Sequence, residues 1–108
     1  PTEAHLCKEI GIEKIMWGSD YPHTEGSYPY TREHLRLTFA DFSEDEATQI
    51  LTNNAARLYK FDVETLKPLA KKVCPTKAEV STPINYSEIA EDAKGCPGMN
   101  PLNQVQKV

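Results

Sequence analysis

A single short apolar run, residues 12–17, constrains this chain most, because the rest of the sequence is typical of helix and loop. Its apolar members are Ile12, Ile15, Met16 and Trp17. The shortness of the run, and the Gly18 that follows it, favour a buried strand over residues 13–17. A buried strand needs neighbouring strands to pair its backbone groups. We therefore expect a sheet whose other strands lie outside these 108 residues.

The remaining pattern predicts helices separated by polar breaks. Residues 3–10 are typical of a helix end that Gly11 terminates, and residues 18–30 are rich in turn residues. Apolar spacing predicts helices at 31–40, 44–52, 54–59 and 62–72, with Asn53-Asn54 breaking the second from the third. Ser43 with Glu46 forms a predicted capping box, and Thr31 and Asp62 are predicted N-caps.

Beyond Cys74 the sequence changes character. Prolines recur and apolar residues show no sustained period. Residues 74–108 are therefore predicted to be an extended, flexible tail with one helical turn at about 86–93. We therefore divide the chain into a first part, residues 1–73, and the predicted tail, residues 74–108.

Composition excludes several classes of protein. The 12 basic and 16 acidic residues give a net charge of −4, which argues against nucleic-acid binding. No apolar run approaches the ~18–20 residues that cross a bilayer. The three cysteines, Cys7, Cys74 and Cys96, favour reduced thiols in a cytoplasmic protein, with a Cys74–Cys96 bridge as the alternative.

The chemically suggestive segment is Trp-Gly-Ser-Asp-Tyr-Pro-His at residues 17–23. Asp20 directly follows the predicted strand, and catalytic groups of alternating strand–helix barrels lie at the C-terminal ends of strands. A carboxylate there can bind a divalent metal or accept a proton from metal-bound water. His23 is close enough to line the same mouth. The same residues are also ordinary turn chemistry, since aspartate bonds the amides ahead of it and proline fixes the turn.

Residues 15–23, with Glu25-Gly26-Ser27 and Pro29 after them, resemble the last-strand segment of the amidohydrolase-related (amidohydrolase 2) family. Residues 44–61 resemble the closing helices of that family in the same order and spacing. The resemblance covers about residues 3–72. It implies an α/β fold, in which this chain is the C-terminal portion of a (β/α)8 TIM barrel, with the last strand and closing helices. The isolated chain is then expected to be mostly helical.

The family resemblance also implies site residues. The aspartate after the eighth strand of that family binds or faces the catalytic metal and helps to activate water, and Asp20 matches it. Asp20 is thus the expected catalytic residue and metal ligand, and the expected cofactor is a divalent ion, zinc in particular. The other ligands of the family are a His-x-His pair after the first strand and histidines after the fifth and sixth, none of which this sequence contains. His23 is assigned to substrate binding, and Asn54 is expected to cap its short helix and tie it to the strand-end loop.

The resulting hypothesis is a fragment of a metal-dependent hydrolase that acts on a small-molecule substrate through metal-activated water and is inactive alone. We expect no nucleic-acid or membrane partner, and a homo-oligomer is compatible with the sequence. Two alternatives stay open: a decarboxylase of the same fold, and a non-catalytic helical interaction module. The sequence identifies neither the substrate nor the oligomeric state.

Overall fold

Short helices make up most of the chain in a computed structural model that describes residues 3–94. The α-helices are α1 (Leu6–Ile10), α2 (Thr31–Thr38), α3 (Glu44–Thr48), α4 (Asn54–Tyr59), α5 (Val63–Val73), α6 (Lys77–Ser81) and α7 (Glu91–Lys94). Residues Ile12–Lys14 and Tyr86–Glu88 form 3₁₀ turns, and a π-helix at Gln49–Asn53 joins α3 to α4. The helices predicted at 31–40, 44–52, 54–59 and 62–72 are confirmed, with ends that differ by a few residues.

The strand predicted at 13–17 is wrong for this structure, and no residue between 3 and 94 is in a strand. The run begins instead as the 3₁₀ turn Ile12–Lys14 and continues without regular structure through residues 15–20, which we call the irregular segment. Ile15 is extended, with φ −111° and ψ 138°. The physical reason is that a ladder needs a second strand, and the described residues supply none.

The main core lies where α2, α3, the π-helix and α6 meet. Its buried residues are Leu35, Phe39, Phe42, Ala47, Ile50 and Val80. The Phe39 and Phe42 rings pack edge to face with their centroids 5.4 Å apart. Ile15 and Trp17 pack against this cluster. The apolar stripes of the predicted helices are therefore buried as expected, and the irregular segment closes one side of the core.

Capping was predicted well where the side chain lies close in sequence to its partner. The Glu46 backbone N–H donates to Ser43 Oγ (3.1 Å), and the Ser43 N–H donates to Glu46 Oε2 (3.0 Å), so the capping box is confirmed. Asp62 caps α5 through the Thr65 N–H, as predicted. The Thr31 cap is wrong: Tyr30 is the N-cap residue of α2 and makes no side-chain cap bond.

The helix end predicted at Gly11 and the helix break predicted at Asn53-Asn54 had different outcomes. Gly11 ends α1 at φ +113°, and its N–H donates to the Cys7 carbonyl, so the predicted termination is confirmed. The break predicted at Asn53-Asn54 is wrong, because the π-helix carries the backbone through it into α4. That helical run ends at Lys60, which adopts a left-handed conformation with φ 57°.

Between Cys74 and Lys94 the chain differs from the extended tail that its composition predicted. Thr76 caps α6 by accepting the Glu79 N–H (3.1 Å), and Val80 then reaches the main core. A few apolar residues thus suffice to fold this segment onto α2. The helical turn predicted near 86–93 is confirmed by the 3₁₀ turn Tyr86–Glu88. Residues 95–108, the rest of the predicted tail, lie outside the described residues.

The predictions about membrane crossing and about the cysteines can be compared with the described residues. None of their helices has the length and apolar character that crossing a bilayer requires. Cys7 and Cys74 are free thiols. Cys96, the third cysteine, lies outside the described residues.

Asn54 ties the closing helices to the irregular segment. Its side chain is almost fully buried, at 2% exposure. Its Nδ2 donates to the carbonyls of Ile12 (2.8 Å) and Ile15 (2.7 Å), and its Oδ1 accepts from Gln49 Nε2. The expected tie is therefore present. The expected cap is absent, because Asn53 is the N-cap residue of α4 and makes no cap bond.

Replacing Asn54 tests this tie. Asn54→Ala leaves the Ile12 and Ile15 carbonyls without their donor, and we expect it to lower the free energy of unfolding by about 2–3 kcal/mol. Asn53→Ala is the matched control, because Asn53 is exposed and makes only a 3.5 Å contact with Gln49. It should cost less than about 0.5 kcal/mol. Urea unfolding followed by helical circular dichroism measures both; equal losses would refute the role of the tie.

Candidate active-site loop

Residues 19–30, which we call the Asp20 loop, leave the irregular segment and lead into α2. Asp20 adopts a left-handed conformation with φ 55°. Its carbonyl accepts the His23 N–H (2.8 Å), and the His23 carbonyl accepts the Gly26 N–H (3.0 Å). The Ser27 N–H then donates to the Ser19 carbonyl (2.9 Å). Successive tight turns thus bring the end of the loop back to the residue that precedes Asp20.

The base of the loop is its buried part. Gly26 and Ser27 are buried, whereas residues 20–25 are exposed. A Cβ on Gly26 would lie 2.9 Å from the carbonyl oxygens of Asp20 and Ser19, and 3.0 Å from that of His23. Only glycine permits this close approach of backbone to backbone, so Gly26 is required for the loop to close.

The side chains of Asp20 and His23 meet, as their spacing predicted. Asp20 Oδ2 lies 2.8 Å from His23 Nδ1, and the two side chains are 64% and 58% exposed. Asp20 Oδ1 makes no hydrogen bond with the described residues. One carboxylate oxygen is therefore oriented by histidine, and the other remains available to a ligand or to water.

The backbone of Asp20 carries strain. A left-handed φ is uncommon for residues other than glycine, although aspartate and asparagine tolerate it better than most. Strained residues of this kind persist where the surrounding structure holds them, and they concentrate at functional sites. Here the hydrogen bonds through His23 and Ser27 hold Asp20 in place.

Aromatic rings flank the loop. Tyr21 and Tyr28 pack edge to face with their centroids 5.2 Å apart, and both are 66% exposed. They form a small apolar wall next to Asp20 in the chain. No local sequence pattern predicts the pairing of Tyr21 with Tyr28.

The described residues do not hold a metal ion by themselves. No group of three or more His, Cys, Asp and Glu side chains between residues 3 and 94 is close enough to form such a site. Asp20 and His23 together offer two donors, whereas catalytic zinc sites have three protein ligands. The loop chemistry fits a contribution to a shared ligand set, and it does not fit a complete one.

A groove of about 360 Å³ lies elsewhere, between α2, α3 and the start of α6. Trp17, Leu51 and Val80 are among its lining residues, and neither Asp20 nor His23 lines it. Trp17 also approaches the His34 ring at a centroid distance of 6.4 Å. Burial lowers the pKa of His34 to about 4, so this imidazole is neutral at neutral pH. Its position beside the core makes it a packing residue.

Comparison with known proteins identifies a relationship for the first part of the chain. A family model described as amidohydrolase matches residues 1–61, which include the Asp20 loop and Asn54. The matched range ends shortly after α4 and contains more than half of the 108 residues. No curated protein and no solved structure matches the chain.

Adding a methyl group at Gly26 tests how the loop is built. Gly26→Ala must push the Asp20 and Ser19 carbonyls away, and we expect it to lower the free energy of unfolding by about 1–3 kcal/mol. Gly18→Ala is the matched control, because a Cβ there meets nothing within 4 Å. Thermal unfolding and the amide NMR shifts of residues 19–27 provide the measurement. Shifts of equal size in both variants would contradict the close approach at Gly26.

Proposed function

Because this chain belongs to the amidohydrolase family, we propose that Asp20 is the active-site carboxylate of a metal-dependent hydrolase. The observation that carries the proposal is the geometry of Asp20 inside the matched range. Asp20 is held in a strained left-handed conformation, and its side chain is directed into solvent rather than used for packing. Residues in sparsely populated backbone conformations concentrate at functional sites, which together with the family match supports a role for Asp20 beyond the turn.

Residues 15–19 are irregular in this structure. In the (β/α)8 barrel that the proposal implies, they would pair with strands supplied from outside the described residues. Ile15 and Trp17 are half-buried against the helices, whereas Met16 between them is 41% exposed, which is the alternation of a pleated strand. The Met16 N–H and carbonyl make no hydrogen bond with the described residues. These groups are where neighbouring strands would pair.

In this arrangement Asp20 accepts a proton from the attacking water, while its second oxygen stays bonded to His23. A divalent ion, zinc in the first instance, would supply Lewis acidity and lower the pKa of that water. Asp20 would be one of its ligands, and the remaining donors would come from other barrel strands. His23 and the Tyr21–Tyr28 wall would contact a small-molecule substrate at the mouth. The described residues alone would then be inactive.

A second candidate function, a non-catalytic helical interaction module, is favoured by one observation. The described helices form a core of their own, and α4 and α5 expose apolar residues: Leu58, Tyr59, Leu66, Leu69 and Val73. Such a surface is typical of a partner-binding face. This candidate does not account for the strained Asp20, and it predicts that Asp20 is dispensable.

Asp20 variants separate the two functions in the full-length protein, purified with its metal. Asp20→Asn removes the charge and most of the basicity, and kcat for hydrolysis should fall by roughly 100- to 10,000-fold. Asp20→Gly should abolish turnover as well, but it relieves the left-handed strain, so stability should stay within about 1 kcal/mol of wild type or rise. His23→Ala should act mainly on KM.

The matched control is Asp41→Asn, which removes the charge of another exposed aspartate outside the loop. It should leave kcat unchanged. Steady-state rates, metal content and thermal unfolding are measured for every variant. Near wild-type kcat in Asp20→Asn, with normal metal content, would overturn the assignment.

A further inference from the structure

The segment that covers α2 on the side away from the main core is residues 84–94, which we call the C-terminal strap. Ile89 and Ala93 of the strap are buried, at 2% and 0% exposure. They form a second core cluster with four partly buried residues: Tyr30, Leu37, Ile84 and Tyr86. Tyr30 is the last residue of the Asp20 loop. The strap therefore packs directly against the point where the loop enters α2.

Two arginines of α2 bind the residues that precede the strap. Arg36 Nε donates to the Thr82 carbonyl (2.9 Å), and its Nη2 donates to the Pro83 carbonyl (2.6 Å). Arg32 Nη1 contacts both carboxylate oxygens of Glu79, at 2.7 and 2.8 Å. Both arginines lie on α2, so the strap begins from a fixed position beside that helix.

A hydrogen bond joins the strap to the loop. The Tyr30 hydroxyl donates to Asp92 Oδ2, and this bond is the largest cause that holds the pKa of the Asp92 carboxyl below its ordinary value. Asp92 is thus charged at neutral pH, which makes the bond charge-assisted. Its other oxygen accepts the Ala93 N–H (3.2 Å).

From Tyr30 a run of backbone bonds leads to Asp20. The Tyr30 N–H donates to the Ser27 carbonyl (2.8 Å), and the Ser27 N–H donates to the Ser19 carbonyl (2.9 Å). Ser19 precedes Asp20. Ser27 is buried, and its Oγ lies 3.1 Å from Thr31 Oγ1. A displacement of Tyr30 is therefore transmitted to the base of the loop, where little space exists to absorb it.

We propose that the C-terminal strap positions the Asp20 loop, with Tyr30 and Asp92 as positioning residues that act through the buried Ser27 turn. Neither residue touches the reacting atoms. The inference rests on the proposed function of Asp20 for its catalytic meaning. Its structural content, a loop held in place by the strap, can be measured without any substrate.

The test compares amide hydrogen exchange in the loop with exchange in α3 and the π-helix, using the purified protein. Tyr30→Phe and Asp92→Ala remove either end of the bond and should speed exchange of the His23, Gly26 and Ser27 amides by about 3- to 10-fold, with the helices unchanged. Both single variants remove the bond between Tyr30 and Asp92, so the double variant should speed exchange by less than the product of the two single effects. Asp92→Glu keeps the carboxylate and should restore part of the protection.

Two matched controls remove a similar carboxylate or hydroxyl that takes no part in the bond between Tyr30 and Asp92. Glu91→Ala removes the neighbouring charge of α7, which pairs with Lys94 on the same helix, and Tyr86→Phe removes another hydroxyl from the same cluster. Both should leave loop exchange unchanged. Equal acceleration in the controls, additive effects in the double variant, or uniform acceleration that includes the helices would overturn the proposal.

Activity measurements keep this inference distinct from the proposed function. If the strap positions a catalytic Asp20, Tyr30→Phe should lower kcat of the full-length protein through misplacement of the carboxylate, whereas the Tyr86→Phe control should not. If loop exchange responds to the strap variants but Asp20→Asn is fully active, the proposed function is refuted and the positioning role of the strap stands. If loop exchange does not respond to the strap variants but Asp20→Asn loses activity, the positioning role alone is refuted.

Discussion

The side-chain amide of Asn54 is the interaction on which the rest of the structure depends. It donates to two backbone carbonyls of the 12–15 region, which no strand of the described residues pairs. With those carbonyls held, Ile15 and Trp17 can pack on the main core. The Trp17 N–H then donates to the Ile50 carbonyl (3.4 Å), which adds a second link to the closing helices. The exit of the chain toward Asp20 is fixed as a consequence.

Features that depend on neighbours in sequence could be predicted. The Ser43–Glu46 capping box, the Asp62 cap and the end of α1 at Gly11 each need partners within a few residues. The strand at 13–17 could not be judged in this way, because a strand is defined by hydrogen bonds to distant residues. The same periodicity gives a ladder in a sheet and an irregular segment beside helices.

The region after Cys74 shows a different reason for error. Its proline content and weak periodicity predicted an extended tail, yet Val80, Ile89 and Ala93 are buried. Few apolar residues are enough when Arg36 of α2 bonds the backbone carbonyls of Thr82 and Pro83 between them. Those contacts join residues more than forty positions apart, so no local pattern could indicate them.

The candidate site also combines features that follow from neighbours in sequence with features that depend on tertiary contacts. The meeting of Asp20 with His23 follows from a spacing of three residues across a turn, and the family resemblance identified the aspartate. The left-handed backbone of Asp20 and the bond between Tyr30 and Asp92 depend on how the loop closes in space. The sequence thus identified Asp20 as the candidate residue, and the tertiary structure shows which contacts hold it.

The account's central claim is that these residues supply one carboxylate to a metal site whose other ligands lie elsewhere. Calorimetric titration of zinc into residues 1–108 tests it directly, because no three His, Cys, Asp or Glu side chains of the described residues lie close enough together to hold a metal ion. The account predicts weak binding without defined stoichiometry, similar in wild type and in Asp20→Ala. One zinc bound per chain with a Kd below about 1 μM, and lost in Asp20→Ala, would show a complete site in this chain and contradict the account.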